Sequence, residues 1–232
     1  MTVATVFFAS VITALATGLG ALPLALGRAI EGHWIGLATA LAAGFMVGAS
    51  LGLAWEGSRS SSARTAVGAF AGAAFIYVTR RVLGRRSHEL AFGALRGADA
   101  LSAVLIVGVM TLHSFPEGVG VGVSFGDSKT LGVLITTAIA VHNIPEGLAI
   151  ALVLVPKGIS VARAAGWSVF SSLPQVLMAV PAFLLVELIE PFLPFGLGFA
   201  AGAMAWLVAA QLVPDALRTS RPFAVAATML AA

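Results

Sequence analysis

Long apolar stretches separated by short polar segments divide the chain. A helix needs about 20 predominantly apolar residues to cross the hydrocarbon core of a bilayer. Seven stretches have this character, at 3–27, 35–55, 65–79 with its serine-rich lead-in, 100–125, 130–155, 167–186 and 195–214. The segments between them contain Gly, Ser, Pro and most of the charges, and we expect them to be loops. The pattern predicts an all-α, polytopic membrane helix bundle with seven complete transmembrane helices.

The C-terminal segment 223–232 is also apolar but spans only ten residues. At about 1.5 Å per residue, a helix of this length crosses about half of a ~30 Å hydrocarbon core. We therefore expect a shortened eighth helix. All eight helices are predicted to belong to a single transmembrane domain over residues 1–232.

Composition supports a membrane protein over a soluble one. Of the 232 residues, 59% are hydrophobic and only 10% are charged, and the mean hydropathy is +1.01. A soluble domain has roughly a quarter charged residues. The chain has 26 glycines and no cysteine, so small residues can bring helices close together, whereas disulfides and thiolate metal sites are excluded.

Basic residues orient the bundle. Because cytoplasmic loops are enriched in Lys and Arg, the favoured topology places most of them inside. With the N-terminus outside, ten of the 13 basic residues fall on the cytoplasmic side: Arg28, Arg80, Arg81, Arg85, Arg86, Arg96, Lys157, Arg163, Arg218 and Arg221. The net charge of +3 does not indicate nucleic acid, because these arginines lie at the ends of apolar runs.

Two related hexapeptides carry the candidate chemistry. His113-Ser-Phe-Pro-Glu117-Gly lies in the fourth stretch, and His142-Asn-Ile-Pro-Glu146-Gly follows 29 positions later in the fifth. This separation equals one span plus a short turn, so the copies are predicted to lie on adjacent antiparallel helices. Both copies fall near the middle of their stretches, and we expect them to meet at the bilayer midplane.

Each copy places a histidine and a glutamate at positions i and i+4, which share one helix face. Ionisable groups at membrane depth are costly and therefore indicate function. Imidazole and carboxylate together suit Zn²⁺ and its divalent first-row neighbours. Pro116 and Pro145 each remove one helical hydrogen bond beside these side chains, which predicts a kink at the site.

Other polar or soft side chains share this depth, and each has an alternative interpretation. Met46 could be a thioether ligand or ordinary core packing. Gln175 could face the site or satisfy carbonyls loosened by Pro174. Asn143 could be a ligand or a structural residue. Ser114 is expected to bond to its own helix. Gln211 and Asp215 lie one turn apart, and they could face the pathway or cap a helix end. The additional candidates for the site are therefore Met46, Ser114, Asn143, Gln175, Gln211 and Asp215.

At 113–118 and 142–147 the sequence resembles the ZIP (zinc/iron-regulated transporter-like) family, especially its prokaryotic members. Weaker similarity lies at 17–23, 44–46, 172–175 and 211–215. The resemblance implies eight membrane helices and movement of a divalent metal into the cytoplasm. It also implies a primary metal position and a second one that shares both glutamates. The primary position consists of Met46, His113, Glu117, His142 and Glu146; the second adds Ser114, Asn143 and Gln175.

The chain departs from the family at the second position. Family members often have an acid where Gln175 stands and commonly Asn where Ser114 stands, so a second metal should bind weakly or not at all. The resemblance further implies an elevator-type motion of helices 1, 4, 5 and 6 past a scaffold of helices 2, 3, 7 and 8. A homodimer in a bacterial inner membrane is expected, with Zn²⁺ or Cd²⁺ favoured over Fe²⁺ and Mn²⁺.

Two other classes of function compete with this interpretation. A membrane metalloenzyme is disfavoured, because the His-Glu-x-x-His motif of zinc proteases is absent and no residue remains as an obvious base. A channel or a metal sensor would bind the ion without carrying it. Strong ligands favour a carrier over a channel, since conduction needs weak or multiple sites.

Overall fold

The computed structural model describes residues 1–26, 31–85, 97–188 and 192–232. The regular elements in these ranges are helical, without a strand. They are α1 (Val3–Leu19), α2 (Leu22–Ala25), α3 (Gly32–Arg85), α4 (Gly97–Asp127), α5 (Lys129–Leu154), α6 (Val161–Ser171), α7 (Leu173–Leu188), α8 (Phe192–Leu207), α9 (Val213–Thr219) and α10 (Pro222–Ala231), with a 3₁₀ turn at Val155–Lys157 and a π-helical turn at Val208–Leu212. Of the basic residues counted above, Arg28, Arg86 and Arg96 lie outside the described residues.

Among the described residues, five helical segments are long and apolar enough to cross a membrane. They are Val3–Ala25, Gly32–Thr79, Lys129–Lys157, Val161–Val186 and Phe192–Thr219. Large apolar side chains on their outer faces are exposed, as in Phe70 and Leu51. A helix bundle that crosses a membrane satisfies its backbone hydrogen bonds internally and presents apolar side chains to the lipid. The chain is therefore an integral, multi-pass membrane helix bundle, as predicted.

The predicted connection between the second and third apolar stretches is present but much shorter than expected, because most of the serine-rich segment after residue 55 is helical. A single residue, Ser61, leaves the helical conformation (φ −164°, ψ 103°). The preceding residues are helical, with serine hydroxyls bonded to the previous turn, as in the 2.6 Å bond from Ser58 Oγ to the carbonyl of Ala54. A Cβ placed on Gly57 would lie 2.7 Å from Thr65 Oγ1, whereas eight helical residues span about 12 Å. The chain therefore reverses direction at Ser61.

The helices form two bodies, and close backbone approach defines each of them. In the first body, α1 packs on α5 and α6, and α4 packs on α5 and α7. A Cβ at Gly147 would overlap the main-chain oxygen of Thr17, so α5 can approach α1 this closely only without a side chain there. In the second body, α3 packs on α8, α9 and α10. Gly202 of α8 lies in the same way against the backbone of Ala69.

Apolar side chains join the two bodies. Leu53 of α3, Val121 of α4 and Met204 of α8 are at most 2% exposed and belong to one continuous cluster. This cluster extends to Phe125, near the end of the bundle where α4 ends and α5 begins. The cavity described below lies toward the opposite end, where α4 begins.

Candidate metal site

The two hexapeptides meet in the first body. Helices α4 and α5 continue through Pro116 and Pro145, so each histidine keeps its glutamate on the next turn. His113, Glu117, His142 and Glu146 are all buried, with at most 5% of their surface exposed. The prediction that the two copies face each other on neighbouring helices therefore agrees with the arrangement of these side chains.

Three side chains converge on one point. His142 Nε2 lies 3.4 Å from Glu117 Oε1, and His113 Nε2 lies 4.0 Å from the same oxygen. The two imidazole rings stack at 5.9 Å between centroids. One potential ligand atom from each of His113, Glu117 and His142 lies within 4.8 Å of the other two. Zinc bonds of about 2.0–2.2 Å place tetrahedral ligands about 3.3–3.6 Å apart, so a small contraction would close these atoms around an ion.

Glu146 completes the cluster from the second copy. Its Oε2 lies 3.9 Å from His142 Nε2. Among the described residues, neither carboxylate oxygen of Glu146 has a hydrogen-bond partner, and the same holds for both ring nitrogens of His142. A buried carboxylate without hydrogen bonds is costly. A bound divalent cation would offset this cost for both residues.

A cavity of about 280 Å³ leads away from the site. His113, His142 and Glu146 line its inner end. Gln211 and Asp215 line it nearer the end of the bundle where α4 begins. Gln211 and Asp215 were expected either to face the pathway or to cap a helix end, and both side chains line the cavity. Asp215 also accepts a 2.9 Å hydrogen bond from Arg218.

Gln211 reaches the cavity from the π-helical turn at Val208–Leu212. Such turns insert an extra residue and often occur at functional sites. Pro214, two residues after the turn, cannot donate a main-chain hydrogen bond, and the N–H of Val213 bonds to the carbonyl of Val208 in the wider turn. The proline can be read from the sequence, but the π-helical turn before it cannot.

Met46 lies on α3, in the second body. It is 2% exposed and belongs to the large apolar cluster. Ala42, one turn earlier on the same face, lines the cavity. Met46 therefore follows a cavity-lining residue by one helical turn, and packing and ligation are both compatible with this position.

Two of the residues expected around a second metal, Asn143 and Gln175, belong to one hydrogen-bonded group. Ser114 Oγ donates to the carbonyl of Met110 at 3.1 Å, the local bond that we expected. Gln175 Nε2 donates to Glu117 Oε2 at 2.5 Å, and Asn143 Nδ2 donates to Gln175 Oε1 at 3.1 Å. Gln175 thus bonds to site side chains rather than to carbonyls near Pro174.

Sequence reasoning missed one member of this group. The main-chain carbonyl of Thr13 on α1 accepts a 2.7 Å hydrogen bond from Asn143 Nδ2. Thr17, one turn later, shares a 2.7 Å hydroxyl contact with Ser172. A main-chain acceptor has no signature in the sequence, so no pattern could have identified Thr13.

Comparison with known proteins shows that the chain is similar to zinc transporters. The family model described as ZIP Zinc transporter matches residues 84–231. The chain is 35% identical to Zinc transporter GufA of Myxococcus xanthus over 225 residues, which cover 90% of this chain and 87% of the relative. It is also 46% identical over 229 residues to At3g08650 of Arabidopsis thaliana, named as a candidate zinc transporter.

The plant relative is much longer than this chain. The match covers 97% of the chain but 37% of the Arabidopsis protein. Human Zinc transporter ZIP11 is 39% identical over 127 residues, which cover 52% of the chain and 37% of the human protein. The chain therefore spans little more than a third of the plant relative and most of the bacterial one.

Proposed function

Because the chain belongs to the ZIP zinc transporter family, we propose that it carries Zn²⁺ across a membrane through the site between α4 and α5. His113, Glu117, His142 and Glu146 bind the ion. The family is one of transporters, in agreement with the prediction that the chain is not an enzyme. The observation that carries the proposal is the convergence of His113, Glu117 and His142 within 4.8 Å in the buried interior of an apolar bundle.

The ligand set favours zinc and its softer relatives. Two imidazoles are typical zinc ligands, and two carboxylates balance the charge of a divalent cation in a low-dielectric interior. Met46, one turn beyond the cavity-lining Ala42, joins as a fifth, thioether ligand. A thioether favours Cd²⁺ over the harder Mn²⁺ and Fe²⁺. We therefore expect transport of Zn²⁺ and Cd²⁺, with weaker transport of Fe²⁺ and Mn²⁺.

Transport is directed into the cytoplasm. The proposed topology has the N-terminus outside, with seven complete membrane helices and α10 as a shortened eighth. The cavity then opens to the cytoplasm, because it lies at the end of the bundle where α4 begins. The apolar cluster around Leu53 and Val121 closes the outer side. The membrane is the inner membrane of a bacterial cell.

The mechanism is an elevator-type alternation. The first body, with α1 and α4 to α7, carries the metal past the second body, with α3 and α8 to α10, in each half of a homodimer. The most extensive helix contacts lie within the bodies, between α4 and α7 in the first and between α3 and α8 in the second, and this supports the division. Met46 belongs to the second body, whereas the other ligands belong to the first. Met46 therefore contacts the ion only in the position where the site faces α3.

Transport by reconstituted protein tests the proposal. Liposomes that contain a trapped zinc-sensitive dye should fill in a saturable manner with the wild type, and uptake should be lost with His142→Ala. His33→Ala is the matched control, because His33 is a surface residue paired with Glu31. Uptake that never saturates would indicate a channel. Tight zinc binding without any uptake by the folded protein would indicate a sensor.

A further inference from the structure

A groove of about 630 Å³ runs between α1 and α5 on the surface of the first body. One wall is a stripe of α1 side chains from Thr5 to Leu19, and the other is a stripe of α5 side chains from Lys129 to Ile144. At 1.5 Å per residue, each stripe is about 21–22 Å long. One leaflet of a bilayer, with its headgroups, is about 20–23 Å thick. The groove therefore has the length of a single lipid leaflet.

The two walls of the groove run in the same direction. Asn143 of α5 donates to the main-chain carbonyl of Thr13 of α1. One turn later on both helices, a Cβ at Gly147 would overlap the main-chain oxygen of Thr17. Both helices therefore begin at the same end of the groove. Lys129, the first residue of α5, lies at that end together with the first turn of α1.

Beyond this end, the groove is apolar and faces the hydrocarbon of the membrane. Phe8 and Ile12 of α1 are 63% and 59% exposed, and Val133 of α5 is 50% exposed. The threonines of the middle turn present little polar surface, because Thr137 Oγ1 bonds back to the carbonyl of Val133 at 2.8 Å and Thr136 Oγ1 is buried. Since the bundle crosses a bilayer, this part of the groove fits an acyl chain better than a polar ligand.

Lys129 gives the polar end of the groove a positive charge. Its side chain is exposed, and none of the ion pairs within the described ranges involves it. The first turn of α5 contains no acidic residue, so the partial positive charge at the start of this helix adds to that of the lysine. Asp127, the nearest carboxylate along the chain, interacts with Ser128 and with Arg59 of α3.

We propose that the groove binds one anionic phospholipid, with an acyl chain between α1 and α5 and the phosphate at Lys129. In the proposed topology this lipid belongs to the outer leaflet. A second copy of the chain fits the groove less well, because a twofold axis along the membrane normal would bring both Lys129 side chains to the same depth. The inference goes beyond the proposed function and requires only that the chain lies in a membrane.

Native mass spectrometry of the purified full chain in detergent tests the headgroup contact. Phosphatidylglycerol and phosphatidylcholine with identical acyl chains are titrated separately, and bound lipids are counted by mass. The wild type should bind its first phosphatidylglycerol about fivefold more tightly than phosphatidylcholine, the factor expected for one basic residue beside an anionic lipid. Lys129→Gln should remove this preference. Arg64→Gln is the matched control, because it removes the same charge from an exposed residue outside the groove, and it should keep the preference.

A second pair of variants tests the groove itself. Ala140 lines the middle of the groove, so Ala140→Phe should block the acyl chain and remove the preference for phosphatidylglycerol although Lys129 is intact. Ala74→Phe, at an exposed position of α3, is its control. Glycerophosphoglycerol, the headgroup without acyl chains, should not displace the lipid from the wild type, and this arm needs no variant to fold. Displacement by the headgroup, or a full preference in Lys129→Gln or in folded Ala140→Phe, would overturn the proposal.

The same spectra report the oligomeric state. Lys129→Gln and Ala140→Phe should keep the oligomeric state of the wild type. Loss of an oligomer in these two variants, with Arg64→Gln and Ala74→Phe unchanged, would show that a second copy of the chain occupies the groove, which contradicts the lipid site. Zinc uptake is not measured here, so the lipid site and the proposed transport can fail independently of each other.

Discussion

His142 Nε2 lies 3.4 Å from Glu117 Oε1 on the neighbouring helix and 3.9 Å from Glu146 Oε2 on its own helix. The closer carboxylate thus belongs to the other copy of the hexapeptide. Each copy of the hexapeptide alone has an imidazole and a carboxylate one turn apart. The shorter distance from His142 Nε2 to a carboxylate oxygen, however, is the one between the two helices. The site consequently depends on the packing of α4 against α5 as well as on the ligands themselves.

Neutralising the shared carboxylate should have the larger effect. Glu117 Oε1 faces both imidazoles, so Glu117→Gln should weaken Zn²⁺ binding by more than the roughly 10–100-fold typical of residues that only support a ligand. Glu146→Gln should weaken it less. Titration calorimetry of the purified proteins measures both dissociation constants. Glu31→Gln is the surface control, and a wild-type dissociation constant for Glu117→Gln would contradict the assignment.

Met46 can be tested as a ligand separately from its packing. Met46→Leu keeps a similar apolar volume, which cores tolerate well, but removes the sulfur. We expect weaker binding of both metals and a larger loss for Cd²⁺, because the thioether is a soft ligand. Met204→Leu is the control, since Met204 is a fully buried methionine of the same cluster. Equal affinities for Met46→Leu and Met204→Leu would mean that Met46 only packs.

The cavity should be accessible from one side of the membrane. The chain has no cysteine, so a single introduced cysteine reports on its own surroundings. Ala149 lines the cavity, whereas Ala179 is fully buried in the core. A charged thiol reagent added to the cytoplasmic side should modify Ala149→Cys at least about tenfold faster than Ala179→Cys, in the manner of reactions that follow exposure. Faster modification from the outer side would reverse the proposed orientation.

Close helix contact in the first body predicts a stability difference between two glycines. Gly147→Ala would force its Cβ into the main-chain oxygen of Thr17, at the upper end of the roughly 1–3 kcal/mol cost of overpacking. Gly48 has no atom within 4 Å of its ideal Cβ, so Gly48→Ala should be neutral or stabilise by up to about 1 kcal/mol. Thermal unfolding in detergent measures both. A similar midpoint for the two variants would contradict the predicted contact.

The parts of the site that repeat in the sequence were predictable. His113 and His142 stand in matching hexapeptides, and a 29-residue interval at membrane depth leaves little choice but neighbouring antiparallel helices. The i, i+4 spacing places the histidine and the glutamate of each copy on one helix face, whereas the convergence on Glu117 comes from the packing of α4 against α5. Membrane character follows equally directly from the length of the apolar stretches.

Other features depend on contacts between distant positions, which periodicity does not encode. Gln175 and Glu117 are 58 residues apart, and nothing near Gln175 in the sequence indicates which side chain its amide meets. A connection between the second and third apolar stretches was predicted, but not that a single non-helical residue, Ser61, would form it. The count of membrane helices and the orientation stay predictions.

Thr13 contributes to the site through its main-chain oxygen, and this has a consequence for how the protein can vary. Any residue that keeps the helix at position 13 would offer the same main-chain acceptor to Asn143 Nδ2. This hydrogen bond therefore does not depend on the side chain at position 13. Alignments of related chains would therefore give this position no special weight. A contact that orders the polar side of the site would pass unnoticed in every comparison of residues and would be visible only in three dimensions.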